Sequence, residues 1–480
     1  MLKSVLERPH RRARLSSTPI LLIVVACLIA AGAVLWPGVA SARTVARGLA
    51  DSTIDSMTAD QQAAALYEIS HDLRGTYVRF TVYWALAQPQ QGAYDPGSAY
   101  MTGVASAVSL ARQNGLRVMI TFQGVPKWAS NPKFWNKTRG YQQRDAMRPK
   151  YLPDFKKFCQ DVAAQFQGQV YAYECWNEPN LGQCLFPQAT PHNKNFAADL
   201  YFKMLGSFST GIRLGDADAL RVAGATAPLG SDHPGNISST SPQRFAARIK
   251  GKGAASLFDA YSHHPYMPGA SRRQWPEAAP RDPKTTVTLQ NLGRLLKLFP
   301  KKPFYLTEYG VQTAACLWFS NQHVNQITQA TYLRRAYAYA ARYRQVKLLM
   351  WFLLNDYSPP GIAAKQGFYT GLNTVGGAHK RAWYAFARGN HLTLNAPASI
   401  KRGSALTLTG KLSCSSLGAL AGKQLVVQRH SPGHSWSTVK IVYSGVAGLY
   451  TVRLRPKASA YYRVTWRGVA TSRTRHVAVK

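Results

Sequence analysis

The sequence predicts an α/β protein, a (β/α)8 TIM barrel followed by a small all-β sandwich. Three observations predict it. Between about residues 45 and 390, strand-like runs alternate with segments of helical period, eight times over. Such alternation favours a parallel sheet, and eight repeats favour a closed barrel over an open doubly wound sheet. No G-x-G-x-x-G phosphate loop occurs, which weighs against a nucleotide-binding fold. Beyond residue 390 the runs are short and alternating, separated by Gly, Ser and Pro, as in a sandwich. The expected domains are residues 1–42, an export segment; 43–390, the barrel; and 391–480, the sandwich.

The first of these reads as a signal peptide. Residues 1–19 hold Lys3, Arg8, Arg11, Arg12 and Arg14 against Glu7, and Ile20–Trp36 is apolar throughout. Pro37-Gly38 then precedes Ala40-Ser41-Ala42, a small-x-small cleavage site. The apolar run of 17 residues sits at the lower limit of a membrane span, so an uncleaved signal anchor is the alternative. The expected location is secreted or cell-surface and cell-wall associated, with membrane anchoring only if this segment stays attached.

In the barrel, strands are expected at Val45–Leu49, Thr76–Phe80, Arg117–Phe122, Val170–Cys175, Arg221–Thr226, Leu257–Ser262, Phe304–Thr307 and Lys347–Leu353. Their apolar, β-branched and aromatic content carries that reading. Helical period marks Thr58–Asp72, Gly97–Gln113, Pro153–Phe166, Asn195–Leu214, a stretch around Thr288–Leu298, Gln326–Tyr343 and Arg381–Arg388. In the sandwich, strands are expected at Ala405–Thr409, Leu425–Gln428, Thr438–Val442, Tyr450–Leu454, Tyr461–Trp466 and His476–Val479.

The net charge is +38, from 59 Lys plus Arg against 21 Asp plus Glu. Asp356 is the last acid, and residues 391–480 hold 14 Lys plus Arg and none. That balance points to an anionic cell-wall polymer or acidic polysaccharide as a partner of the C-terminal module. Nucleic acid is not expected, because no stacking platform or groove-reading motif accompanies the charge. Cleavage after Ala42 leaves five cysteines: Cys159, Cys175, Cys184, Cys316 and Cys414. A Cys184–Cys316 disulfide and buried free thiols both remain open. No zinc-type spacing occurs, and neither metal nor cofactor is expected.

Only six acids are Glu, and two of them stand in matching settings. Trp176-Asn177-Glu178-Pro179-Asn180 follows the fourth strand, and Leu306-Thr307-Glu308-Tyr309-Gly310 holds the seventh. Strand ends of a parallel barrel converge on one mouth. There the second strand offers Arg79, the sixth His264 and Tyr266, and the eighth Trp351. Two carboxylates among such groups suit glycosidic cleavage, one protonating the leaving oxygen while the other attacks the anomeric carbon. Glu174, earlier on the fourth strand, reads as a brace inside the barrel.

These two glutamate motifs resemble the acid/base and nucleophile motifs of clan A glycoside hydrolases, retaining (β/α)8-barrel enzymes with cellulase-like and β-xylosidase-like branches. The resemblance extends to Val78-Arg79-Phe80 with Trp84, Pro126-Lys127-Trp128-Ala129, Ser262-His263-His264-Pro265-Tyr266, Trp351, Gly371-Leu372 and Lys380-Arg381-Ala382-Trp383. It implies Glu178 as acid/base and Glu308 as nucleophile. Asn177 would bind the sugar 2-hydroxyl, Arg79 and Tyr266 would hold Glu308, and Trp351 would floor the subsite of the cleaved sugar. His264 belongs to the matching H-x-Y motif and joins the substrate-binding set, with a core histidine as its rival reading. Trp128 ranks first for stacking on sugar. The C-terminal module resembles Ig-like repeats of secreted actinobacterial proteins. The resemblance implies an exported retaining β-glycosidase acting on a poly- or oligosaccharide; the rival is a catalytically silent carbohydrate-binding barrel. Retention further implies carboxyl groups about 5–5.5 Å apart.

Overall fold

The computed structural model describes residues 44–136, 141–142, 146–268, 275–316, 323–358, 367–387, 389–415 and 417–480. The expected export segment lies outside them. Among the described residues, no helix is long and apolar enough to cross a membrane.

Eight parallel strands close a barrel: β1 (Ala46–Ala50), β2 (Tyr77–Tyr83), β3 (Arg117–Gln123), β4 (Val170–Glu174), β5 (Leu220–Thr226), β6 (Ala260–His263), β7 (Phe304–Tyr309) and β8 (Val346–Phe352). Each strand pairs with its sequence neighbours, and β1 closes on β8. Because strand side chains alternate, one set points inward: Ala50, Tyr77, Met119, Ala172, Val222, Ala260, Tyr305, Leu348 and Met350 fill the bore. The opposite set, including Phe80, Ile120, Tyr173, Leu306 and Trp351, packs outward against the helices.

The helical layer comprises α1 (Ala59–Tyr67), α2 (Ala99–Gln113), α3 (Leu152–Gln165), α4 (Phe196–Gly215), α5 (Pro242–Gly251), α6 (Gln326–Ala340) and α7 (Arg381–Phe386). Their starts are written in the sequence. Thr58 and Gln61 form a reciprocal capping box at α1, while Ser98, Ser241 and Asn325 cap α2, α5 and α6. Helix α5 was not expected, although Ser241-Pro242 is a cap followed by an N1 proline. The helix expected around Thr288–Leu298 shrinks to a single turn, Gly293–Leu296. Just ahead of that turn Asn291 binds the backbone of Thr286 and Thr288 with its side-chain amide, fixing a loop there.

After α7 come β9 (Asn390–Leu392), β10 (Leu406–Cys414), β11 (Gln424–His430), β12 (Ser437–Tyr443), β13 (Leu449–Leu454), β14 (Ala460–Trp466) and β15 (Arg475–Val479). Strand β10 pairs with β9 and β13; the second sheet runs β15-β14-β11-β12. Leu406, Leu408, Leu412, Leu425, Val427, Tyr450, Val452, Tyr462 and Val464 alternate into the space between. The sandwich lies directly on the barrel's last repeat. Tyr384 of α7 packs on Trp466 at 4.8 Å, Lys423 Nζ donates to the Tyr384 hydroxyl, and Arg334 of α6 donates to the Val469 carbonyl. Cys184 and Cys316 are both buried.

Candidate active site

The floor of the site is a buried polar layer immediately above the apolar bore. Arg79 on β2 is 2% exposed and points inward, two residues beyond Tyr77. Its Nε donates to Glu174 at 2.8 Å, one terminal nitrogen to Glu308 at 2.7 Å and the other to Asn177 at 2.8 Å. The planar guanidinium can serve three acceptors at once, which a lysine could not do with comparable geometry. Thr121 and Thr307 also donate to Glu174, at 2.6 and 2.9 Å. Burial opposes ionisation of Glu174, but Arg79, then His264, outweigh it and hold the carboxyl below its usual range. Glu174 is therefore the brace that its place on β4 implied.

Two backbone departures aim the paired glutamates. After β4 the chain turns through left-handed conformations at Trp176 (φ 68°) and Glu178 (φ 44°), opposite Ala225 (φ 43°). Such conformations cost non-glycine residues roughly 1–3 kcal/mol each and cluster at functional sites. Neighbouring groups hold them: Glu178 N–H donates to the Ala225 carbonyl, and the Trp176 indole N–H to the Cys184 carbonyl. Asn180, fully buried, bonds Ala227, Leu229 and Thr240, tying the loop after β5 to this turn. On β7 the pairing with β8 advances three residues, Leu306 to Tyr309, while β8 advances two, Leu349 to Trp351. That bulge lets consecutive residues both serve the mouth, Thr307 reaching down to Glu174 and Glu308 reaching the cleft.

Glu308 accepts from Arg79 on one oxygen and from the Tyr266 hydroxyl, at 3.1 Å, on the other. Glu178 faces His264 Nδ1 at 3.0 Å, and that nitrogen lies 3.6 Å from Glu308. Ligand atoms of Glu178, His264 and Glu308 all lie within 4.8 Å of one another. Burial alone would lower the His264 pKa; the carboxylates of Glu308 and Glu178 raise it instead. Burial, then the charge of Glu308, pushes the Tyr266 hydroxyl well up, keeping it a proton donor. Neighbouring His263 has a different fate: burial takes it down to about 3, and it bonds Thr226 and the Val287 carbonyl as a core histidine.

A cavity of about 680 Å3 opens over these groups, with Asn177, Glu178, Tyr266 and Glu308 in its wall. Six of the eight residues expected at the site thus converge: Glu178, Glu308, Arg79, Asn177, His264 and Tyr266. Two do not. Trp351 is fully buried on the outward face of β8, edge-on to Tyr309, its indole N–H donated to the Thr370 carbonyl. Alternation puts Met350 in the bore and sends Trp351 to the helices; the next residue, Phe352, lines the cavity. Trp128 gives its N–H to the Gln88 carbonyl and packs edge-on against Trp84 and Tyr151, outside the cavity wall.

Ser52 and Thr53 also line the cavity and were not singled out from sequence. They follow Asp51, which accepts from the N–H and hydroxyl of Thr53 and from Leu354 N–H, joining the ends of β1 and β8. Burial raises the Asp51 carboxyl, and burial together with Asp51 takes Asp55 up to about 7. The available signal was an Asp-Ser-Thr run directly after the first strand.

A family model described as cellulase (glycosyl hydrolase family 5) matches residues 46–356. No curated protein matches the chain. Among solved structures, the chain is similar to a family 39 glycoside hydrolase from the gut symbiont Bacteroides cellulosilyticus WH2, at 16% identity and TM-score 0.52, covering 85% of this chain and 81% of that one. It is also similar to GH5_18 from Streptomyces cattleya in complex with GlcNAc, at 17% identity and TM-score 0.51, covering 72% and 80%. A GH39 β-xylosidase from Caulobacter crescentus follows at 16% and 0.50, covering 82% and 83%. At these identities the structural likeness speaks to the fold.

Proposed function

The chain belongs to the cellulase family, glycosyl hydrolase family 5, and is a retaining glycoside hydrolase; from that premise we propose that it is an exported β-glycosidase acting on a poly- or oligosaccharide through Glu178 and Glu308. The observation that carries the assignment is that oxygens of these two carboxyls lie within 4.8 Å. So close an approach supports double displacement, in which the two carboxyls are near neighbours, over the roughly 6.5–9.5 Å separation that leaves room for an inverting water.

Glu308 is the nucleophile, because a guanidinium and a phenol donate to its two oxygens and fix it for attack. An oxygen of Glu308 bonds to the anomeric carbon as the glycosidic C–O bond breaks, and Glu178 gives its proton to the departing oxygen. Glu178, now the base, takes a proton from water, whose oxygen displaces Glu308 and frees the sugar. Asn177, oriented by Arg79, is placed to bond the sugar 2-hydroxyl. His264 holds Glu178 from below.

Export is supported by the basic, then apolar, then small-x-small N-terminus. The acid-free C-terminal sandwich, read as an Ig-like module, supports adhesion to an anionic polymer at the cell surface. N-terminal sequencing of protein recovered from the medium checks cleavage after Ala42.

Glu308→Gln is expected to abolish turnover of aryl β-glycosides, and unchanged turnover overturns the assignment. Glu178→Ala with added azide is expected to release a glycosyl azide of retained configuration, because azide needs no base to attack the glycosyl-enzyme.

A further inference from the structure

We propose that the outer face of the β15-β14-β11-β12 sheet is a platform for a polysaccharide whose own pyranose rings carry carboxylates. The proposal rests on the reading that the basic sandwich adheres to an anionic polymer, and gives that adhesion a place and a chemistry.

Strand register makes the platform. His430 on β11 sits opposite Tyr461 on β14, and Tyr461 opposite His476 on β15. Directly opposed residues on one face of a sheet stand side by side at about the 4.8 Å strand spacing. The rings form a row across three strands, with centroids 6.0 Å apart for His430–Tyr461 and 4.7 Å for Tyr461–His476. Trp436, just ahead of β12, extends it, stacked on His430 at 5.2 Å. Two residues along β14, Arg463 shares the face. Its guanidinium carbon lies 4.1 Å over the Trp436 ring and its Nε donates to Gln428 at 2.8 Å, so it is held in place.

These side chains do not serve the core. Ala460, Tyr462 and Val464 alternate inward and are buried, while Tyr461 is 38% exposed and His476 is exposed. An outward row of rings gives a glycan chain an exposed aromatic surface to pack its C–H groups along. A planar guanidinium beside them fits a carboxylate on the same sugar. With no acid from residue 391 onward, nothing in the module repels such a chain. A neutral glycan would bring no charge to match the guanidinium, and a glycerol-phosphate chain has no ring to stack. A carboxylated pyranose polymer uses both features.

The test retains the full chain on resins bearing polygalacturonate, neutral hydroxyethylcellulose or dextran sulfate, across a salt series. Wild type is expected to prefer polygalacturonate to both of the others. Tyr461→Ala/His476→Ala, which removes two rings and no formal charge, is expected to weaken that binding about tenfold or more. Arg453→Gln, which removes a charge from the opposite sheet, is expected to leave it within about twofold, since an isolated exposed charge is worth little in salt. Far-ultraviolet circular dichroism and thermal melting establish that both variants fold. Wild-type retention by the double variant overturns the platform while leaving charge-driven adhesion standing. Equal retention on dextran sulfate and polygalacturonate does the same, and failure of the wild type to bind either polyanion overturns both readings. The Glu308→Gln result bears on neither.

Discussion

Replacing Arg79 by Met should separate two roles that one side chain holds together. Arg79 and Glu174 are 2% and 0% exposed, so solvent does little to screen their pairing. Removing one partner of a buried pair costs about 3–5 kcal/mol, because the other charge is left without compensation. Glu174 keeps its threonine donors and is free to take up a proton, which places the expected stability loss near the lower end, about 3 kcal/mol. Glu308 also loses a charged hydrogen bond of about 1.5–3 kcal/mol; if that is felt in the transition state, kcat/KM falls roughly 10- to 150-fold. Adding Glu174→Gln removes the stranded charge but does nothing for Glu308. The double variant should therefore recover much of the stability and none of the activity. Urea midpoints and aryl β-glycoside kinetics read the two separately. A double variant as unstable as Arg79→Met, or Arg79→Met activity within twofold of wild type, refutes the division of labour. The pH dependence has a defined sign. Because the Glu174 carboxyl is held below its usual value in the folded chain, its contribution is present above the unfolded pKa of about 4.3 and is lost as pH falls through the folded value.

Three further outcomes follow from other sites. Asn180→Ala strands the Ala227 N–H and the carbonyls it bonded; stability should drop about 2–4 kcal/mol, and KM should rise more than kcat falls, since Ala227 and Leu229 line the cleft. Asp55, raised to about 7 by burial and by Asp51, binds its proton more tightly folded than unfolded; its contribution is complete below the unfolded pKa of about 3.9 and is lost as pH rises through about 7. Asp55→Asn should flatten the decline in thermal midpoint between those limits. Trp351→Phe should lower stability by only about 0.5–1.5 kcal/mol, since the Thr370 carbonyl keeps Gln329 as a donor, while leaving KM unchanged, whereas a sugar-stacking tryptophan would show its loss in KM.

The barrel was legible because its signal is repeated: each strand is a short apolar run, and the helices read from sequence carry a period and, in three cases, a side-chain cap. Glu178 and Glu308 were legible because carboxylates are scarce in this chain and both stand at strand ends. Trp351 was misplaced for a reason one residue wide. The residue that reaches the cleft depends on strand parity and on the bulge between Leu306 and Tyr309, and neither is written in a local motif. Trp128 lies outside the cavity wall for a related reason, since its indole N–H reaches a backbone carbonyl and its ring packs on two aromatic edges. Ser52 and Thr53 enter the site because barrel closure brings the end of β1 beside β8, a contact some 300 residues apart in sequence.

The seat of the sandwich on α6 and α7 has a consequence for how this gene can be cut and joined. Gly468 adopts φ 81°, and a methyl group there would meet the Ile327 carbonyl of α6 at 2.6 Å; the loop after β14 is shaped to the barrel wall. On the barrel side, Arg47 of β1 binds the Phe386 carbonyl of α7, so the helix beneath the sandwich also latches the seam where first and last strands meet. A stop codon near residue 390 would therefore bare Tyr384 and the flank of α6 to water. Grafting another module at that point would need a new surface to fit them, so the last ninety residues behave less as cargo on a carrier than as the final course of its masonry.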